Sequence, residues 1–276
     1  MSEVANPNPE VHQAPDSRRA LRFVRQAGAV LVAIAFWQWA SRTQLNLVLF
    51  SYAHVPPPTE VLQQFWSLVS SPKLIHHVLA SLMRVFGGFA IAAVLGVATG
   101  LAIGRSRVAE DLLLSPLEVL RPIPAVAWIP LAVLMFPSSE GSMIFITFIG
   151  ALFPILLNTI HGVEHVDARL IASARSLGST RIALFREIIL PAAAPSIVTG
   201  LAIGMGTAWF CLVTAEMISG QFGIGYYTWE SYTVQNYAAI VVGMLVIGAL
   251  GMGSSALIRR AAAVAMPWQN LRERKA

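Results

Sequence analysis

Between Val78 and Gly104 the chain carries one charged side chain, Arg84. A helix crossing a bilayer needs about 20 mainly apolar residues. In lipid every backbone polar group must be satisfied within the structure, which leaves helices or closed barrels. Runs of this kind recur. Six segments are candidate spans: Phe23–Ser41, Val78–Gly104, Leu112–Phe136, Ser142–Ile160, Ser196–Ser219 and Ala238–Ile258. Charged residues make up 12% of the 276, against roughly 25% in an average soluble domain. The expected fold is an all-α polytopic membrane protein of about six transmembrane helices.

The charges that remain report topology. Before or at the start of the first span stand Arg18, Arg19, Arg22 and Arg25, in a tail read as disordered to about residue 25. No small-residue cleavage pattern follows them; Phe36-Trp37-Gln38-Trp39 stands there, which reads as an uncleaved anchor. Basic loops stay in the cytoplasm. With the N-terminus inside, the inner segments gather these four with Arg105, Arg107, Arg169, Arg175, Arg181, Arg186, Arg259, Arg260, Arg272, Arg274 and Lys275, most of the 19 basic residues. The outer segments hold Arg42 and Lys73. Both termini are then cytoplasmic. The net charge of +5 is scattered between apolar runs, so it follows topology rather than nucleic-acid binding.

Two outer segments have character of their own. Pro56-Pro57-Pro58 precedes an amphipathic stretch, Thr59–Trp66, which reads as a stiff turn and a short interfacial helix. Gln221–Tyr237 is rich in aromatic residues and reads as an interfacial belt or, more sharply, a docking surface. The organisation expected is a cytoplasmic tail over 1–25, a first span with its external segment over 26–77, a core over 78–262 with a cytoplasmic loop at 163–195, and a second tail over 263–276.

Inside the spans, Gly96, Gly100 and Gly104, and Gly200 and Gly204, recur at four-residue spacing, with Gly243, Gly248 and Gly251 more loosely placed. Such residues let helix backbones approach closely. The third span holds Pro116, Pro122, Pro124 and Pro130. A broken helix at membrane depth is tolerated beside protein or a wet cavity, which makes Arg121, Pro122, Pro124 and Trp128 candidates for a pathway wall. The compatible plainer reading is an elbow up to Arg121 with a helix starting at Pro122. Arg84, Arg121 and Glu216 are ionisable groups at membrane depth, and such groups pair or line a path. Glu216 would repel an anion, so pairing with Arg84 or Arg121 is the favoured reading. Cys211, the single cysteine, reads as a small hydrophobe.

The long loop between the fourth and fifth spans carries two amphipathic helices. Asp167 is an N-cap; Leu170, Ile171, Ala174 and Leu177 share one helical face; Gly178 ends the first helix. Ser179 or Thr180 caps the second, in which Ile182, Phe185 and Ile189 form a face, and Pro191 is read as its stop. On physical grounds this is a docking elbow or a helical pair on the bilayer surface.

This stretch resembles the cytoplasmic "EAA" loop of ABC importer permeases, E-A-A, three residues, G, nine residues, I-x-L-P. Here it stands as Ala172-Ser173-Ala174, then Gly178, then Ile188-Ile189-Leu190-Pro191, with Ala172 in place of the glutamate. The resemblance extends over roughly Val55–Trp268 and is to the nitrate/sulfonate/taurine branch. It is carried also by Ser81-Leu82-Met83-Arg84, Leu120–Leu131, Ala215-Glu216-Met217, Gly223-Ile224-Gly225 and Pro267-Trp268. It implies a subunit of the bacterial inner membrane working with two ABC ATPase subunits, a second permease copy as a homodimer, and a periplasmic or lipid-anchored substrate-binding protein. The cargo it implies is a small anion or sulfonate. Coupling to the ATPase is implied for Ala172, Ser173, Ala174, Gly178, Arg181, Ile188, Leu190 and Pro191. The chain has no phosphate-binding loop, so ATP and Mg belong to the partner and this chain is expected to bind no cofactor. The competing readings are an intramembrane enzyme, for which His161 and His165 are the only metal-like spacing, and an anchor or receptor that transports nothing.

Overall fold

The computed structural model describes residues 16–46 and 51–267. Trp268, most of the C-terminal tail and the first fifteen residues lie outside them. Among the described residues there are no strands beyond one isolated bridge, Asn46 to Ser51. In chain order the helices are α1 (Asp16–Arg42), α2 (Pro58–Val69), α3 (Pro72–Arg105), α4 (Arg107–Ala109), α5 (Ser115–Leu120), α6 (Ile129–Met135), α7 (Ser139–Glu164), α8 (Ala168–Ser176), α9 (Arg181–Leu184), α10 (Leu190–Ser219), α11 (Ile224–Thr233) and α12 (Tyr237–Ala265).

Among the described residues, four helices are long and apolar enough to span a membrane: Pro72–Arg105, Ser139–Glu164, Arg181–Ser219 and Tyr237–Ala265. The helix pair Arg107–Leu120 and Ala125–Met135 makes a fifth if its two limbs count as one span. α1 has the length but is not among them; Arg25, Gln26 and Gln38 interrupt its apolar run. It also begins at Asp16, so the last part of the tail read as disordered is helical. Arg, Ala and Leu there are good helix formers that extend the following turns.

The chain divides inside α2 into two units, Met1–Gln63 and Gln64–Ala276. In the first, the Gln38 side chain receives the Thr59 amide (3.2 Å) and donates to the Thr59 hydroxyl (3.3 Å), tying α1 to the start of α2. The second unit is organised on α7. Val85 and Ala92 of α3, Ile129 and Ala132 of α6, Met143, Ile146, Ala151 and Ile155 of α7, and Met205, Ala208, Trp209 and Leu212 of α10 form one buried core. The Trp209 indole donates to the Ser254 hydroxyl (2.8 Å), tying α10 to α12.

Two elements depart from their sequence reading. Pro191 does not stop the second amphipathic helix: α9 runs through a π-helical turn, Phe185–Ile189, into α10. A second π turn, Glu110–Leu114, likewise lies just before Pro116. Proline lacks the amide and its ring crowds the carbonyl four residues back, and a wide turn accommodates both. Nor does a helix start at Pro122. The chain is extended at Pro124, resumes as a 3-10 turn at Ala125–Trp128, and Pro130 takes the first turn of α6 instead.

The glycines at four-residue spacing pack within the chain. A Cβ on Gly100 would stand 2.6 Å from the Thr159 Cβ and 2.9 Å from the Leu156 carbonyl oxygen of α7. Gly96 and Gly104 face α7 in the same way, as do Gly200 and Gly204 from α10. Gly248 faces open space. We expect Gly100→Ala to cost about 1–3 kcal/mol by overpacking and Gly248→Ala to stay within about 0.5 kcal/mol. Thermal melting of the two purified variants checks this, and equal melting temperatures would contradict it.

Candidate functional site

The bundle has two ends with distinct chemistry. At one, α7 leads into α8, α9 and α10. Asp167 accepts the Arg169 amide (2.8 Å) and opens α8. At the other end of α8 the Gly178 amide donates to Arg175 (3.0 Å) and the Ser179 amide to Ala174 (3.1 Å). This paired closure is the Schellman pattern, which puts the residue after the cap at positive φ. Gly178 sits there at φ +82 with nothing near its missing side chain. Thr180, not Ser179, caps α9 by accepting the Ala183 amide (3.2 Å).

Ala172, Ser173, Gly178 and Arg181 are exposed, and Ile188, Leu190 and Pro191 are half-buried. Ala174 is buried, packed with Val163, Val166, Leu184 and Ile189. The face expected to unite Leu170, Ile171, Ala174 and Leu177 is therefore divided. Ala174 looks into the bundle, whereas Leu177 is 87% exposed, Ile182 70% and Leu170 54%. The open apolar surface of the elbow is set by these three residues and not by the small ones.

The proline-rich segment forms a sharp corner. Its two limbs, Arg107–Leu120 and Ala125–Met135, meet at 83° across the break. Ile123 precedes a proline and is thereby kept out of helix. Arg121, Pro122 and Pro124 are exposed, and Trp128 is half-buried against the core.

At the opposite end, where α3 and α7 begin and α10 ends, lies a buried ion network. Arg84 is 2% exposed and Glu216 fully buried. The Arg84 Nη1 donates to Glu216 Oε1 (2.9 Å) and to the Phe222 carbonyl (2.5 Å). Its other face meets both oxygens of Glu140, with Nε at 2.7 Å from Oε2. Ser81 donates to Glu216 (2.7 Å) and accepts the Ile224 amide (2.9 Å). Glu216 Oε2 accepts the Gly225 amide (2.9 Å), and His77 Nδ1 accepts the Gly223 amide (3.1 Å). Arg84 and Glu216 are thus brought together, and Arg121 is not with them. Sequence reasoning did not place His77, Ser81 or Glu140 in this network. Glu140 had a signal, an acid in the first turn of a spanning helix at the level of Arg84.

The arrangement binds the turn after α10 to α3. Gly223 lies at φ +125, and its missing side chain would collide with the Glu216 carboxylate. A Cβ on Gly225 would stand 2.5 Å from the Val213 carbonyl oxygen. Elsewhere, the His161 and His165 rings lie 3.8 Å apart, centre to centre. Among the described residues no group of three or more His, Cys, Asp or Glu is placed to hold a metal ion.

Comparison with known proteins adds the following. Residues 92–267 match the family described as binding-protein-dependent transport system inner membrane component. A nitrate import permease of Synechocystis is 35% identical over 240 residues, 84% of this chain and 85% of that protein. A putative aliphatic sulfonates transport permease of Escherichia coli is 38% identical over 218 residues, 79% of this chain and 81% of that one. A bicarbonate transport system permease of Synechococcus elongatus is 38% identical over 181 residues, 65% of each.

The network makes its own prediction. Removing one partner of a buried ion pair strands the other charge, at about 3–5 kcal/mol. We expect Arg84→Ala, which leaves the fully buried Glu216 carboxylate without its counter-charge, to destabilise the chain by that amount. Glu140→Ala should cost under about 1 kcal/mol, because that carboxylate is 61% exposed. Melting of both variants decides it; the reverse order would mean that Glu216 is not the anchor.

Proposed function

The chain belongs to the family of inner-membrane components of binding-protein-dependent transport systems, and on that premise we propose that it is the permease subunit of an ATP-driven importer for a small anion. Nitrate, sulfonate and bicarbonate are named for similar permeases, which supports a cargo of that class. ATP and Mg are handled by two partner ATPase subunits, and cargo is delivered by an external substrate-binding protein. A second permease copy completes the pathway.

One observation carries this reading. At the end of the bundle bearing α8 and α9, a glycine turn closed by two backbone hydrogen bonds holds Leu177 and Ile182 open to solvent. An apolar pair held on a fixed elbow is suited to seat in a partner's groove. The elbow continues without a break through the π turn into α10 as one helix, Arg181–Ser219. A displacement of the elbow therefore moves a spanning helix, which is the requirement for rigid-body switching between two access states. Ala172, Ser173, Gly178 and Arg181 surround the contact. Ala174, Ile188, Leu190 and Pro191 serve it from behind by holding the elbow to the bundle.

The corner at Arg121, Pro122 and Pro124, backed by Trp128, is proposed as part of the pathway wall. The exposed Arg121 guanidinium would attract an anion there. Arg84 and Glu216 are assigned a structural role.

Two outcomes follow. Leu177→Glu should reduce recovery of the co-expressed ATPase at least about tenfold, the scale of a docking anchor. The melting of the permease itself should not change, since the side chain is exposed. Undiminished recovery with undiminished uptake would sink the coupling role. Single cysteines at positions 121 to 124 should react with a water-soluble thiol reagent in membranes in an ATP-dependent way. Complete protection in every state would remove this corner from the pathway.

A further inference from the structure

α11 opens on Gly223, which has no side chain to cap the helix. The first amides of a helix have no partners inside it. Here three consecutive amides are received by other elements. Gly223 donates to His77 Nδ1 (3.1 Å), Ile224 to the Ser81 hydroxyl (2.9 Å) and Gly225 to Glu216 Oε2 (2.9 Å). His77 and Ser81 stand four residues apart on α3, one above the other on the same face, and Glu216 comes from the end of α10. The cap of α11 is thus supplied by α3 and α10, and two of its three bonds fasten the start of α11 to α3.

Of the three acceptors, the imidazole is the one whose ordinary titration falls near neutral pH. Ser81 does not titrate, and Glu216 is held beside the Arg84 guanidinium (2.9 Å). His77 can receive the Gly223 amide only through the Nδ1 lone pair, so the neutral ring carries its proton on Nε2. A proton added at Nδ1 removes that acceptor and leaves two N–H donors facing each other. It also sets a positive charge against the positive end of a helix. His77 is 8% exposed, so water does not replace the lost bond without movement. Phe222, Tyr226 and Tyr227 crowd the ring at 5.7–6.3 Å between centres, and relief comes from movement of the segment that carries them. The charged groups around this point are Lys73, His76 and Arg84 on α3, Glu140 on α7, Glu216 on α10 and Glu230 on α11. Glu230 attracts a cation at position 77, and Lys73 and His76 repel one.

We propose that His77 is a pH-sensitive latch between α3 and α11: the neutral imidazole fastens the start of α11 through the Gly223 amide, and protonation releases it. The tie is complete where the ring is neutral, above about pH 7, and is lost as acid charges it. Release begins locally, because Ser81 and Glu216 still hold the Ile224 and Gly225 amides. The neighbouring Phe222 carbonyl accepts from Arg84 Nη1 (2.5 Å), so loosening of this turn reaches the buried ion network. The latch lies at the end of the bundle opposite α8 and α9 and acts apart from the proposed ATPase contact.

The test is amide hydrogen exchange on the purified full-length chain, read by mass spectrometry from about pH 8 to about pH 5 and corrected for the intrinsic pH dependence of exchange. The expected result is that the peptide covering the Gly223 turn loses protection about tenfold over that range, the scale of one lost hydrogen bond in a local opening. His77→Asn keeps an acceptor oxygen at the place of Nδ1 and does not titrate, so its protection should hold throughout. His77→Ala should be as open at high pH as the parent is in acid. His76, exposed on the same helix, carries the same ring without the Gly223 bond, and His76→Asn should follow the parent. The proposal is overturned if protection in the parent does not change with pH. It is overturned equally if His77→Asn keeps the parent's pH response, which would assign that response to the carboxylates at 140, 216 or 230, or if His76→Asn abolishes it. Melting of each variant confirms folding, and if His77→Ala does not fold, the comparison of the parent with His77→Asn decides. Neither cargo nor ATPase enters the measurement, so failure of the Leu177→Glu test would leave this result untouched.

Discussion

A carboxylate buried without a counter-charge is not sustainable at membrane depth, and Glu216 is fully buried. Its stabilisation takes a guanidinium from α3, a hydroxyl from α3 and a backbone amide from the first turn of α11. Arg84 in turn reaches Glu140 on α7. Satisfying one charge therefore fixes the relative register of α3, α7, α10 and the turn that leads to α11. Packing alone would not, because lipid tails are as apolar as the side chains and give helices little reason to choose one register. The glycines at 223 and 225 follow from the same carboxylate, since the backbone must come within hydrogen-bond reach of it.

The other end of the bundle is held differently. There the close approach of glycine to α7, at Gly100 and Gly104 from α3, brings backbones into contact. A small apolar cluster of Val163, Val166, Ala174, Leu184 and Ile189 fastens the elbow beneath. α10, 30 residues long, spans about 45 Å at the usual rise per residue and joins the two ends. On the transport reading this helix is a lever. One end is pinned by a charge network that resists sliding, and the other is continuous with the surface offered to the ATPase.

Much of this was legible in the sequence because hydropathy and cap chemistry are local. Val78–Gly104 and Ala238–Ile258 lie inside helices only a little longer, and Asp167, Gly178 and Thr180 do at their positions what such residues do anywhere. What was not legible depends on three dimensions. Helical periodicity puts Leu170, Ala174 and Leu177 on one face but does not say that Ala174 alone is covered, because the covering residues lie on α7, α9 and α10. Pro191 looked like a stop because a π turn leaves no mark in composition. Glu140 was overlooked because its partner stands 56 positions earlier in the chain. The membrane-depth charges Arg84, Arg121 and Glu216 offered two pairings to Glu216, and the fold chose between them.

The alanine at position 172, where the family pattern has a glutamate, becomes understandable on this geometry. An exposed ion pair contributes about 0–1 kcal/mol. Burying an exposed leucine or isoleucine side chain contributes about 1.5–3 kcal/mol each. Leu177 and Ile182 are the most exposed apolar side chains of the elbow, and arginines at 169, 175, 181 and 186 lie along the same stretch. An apolar centre with a charged rim is the usual anatomy of a docking surface. On that balance the elbow loses little with the missing carboxylate. On the proposed coupling role, affinity for a partner would rest on the two aliphatic side chains that the Gly178 turn holds outward.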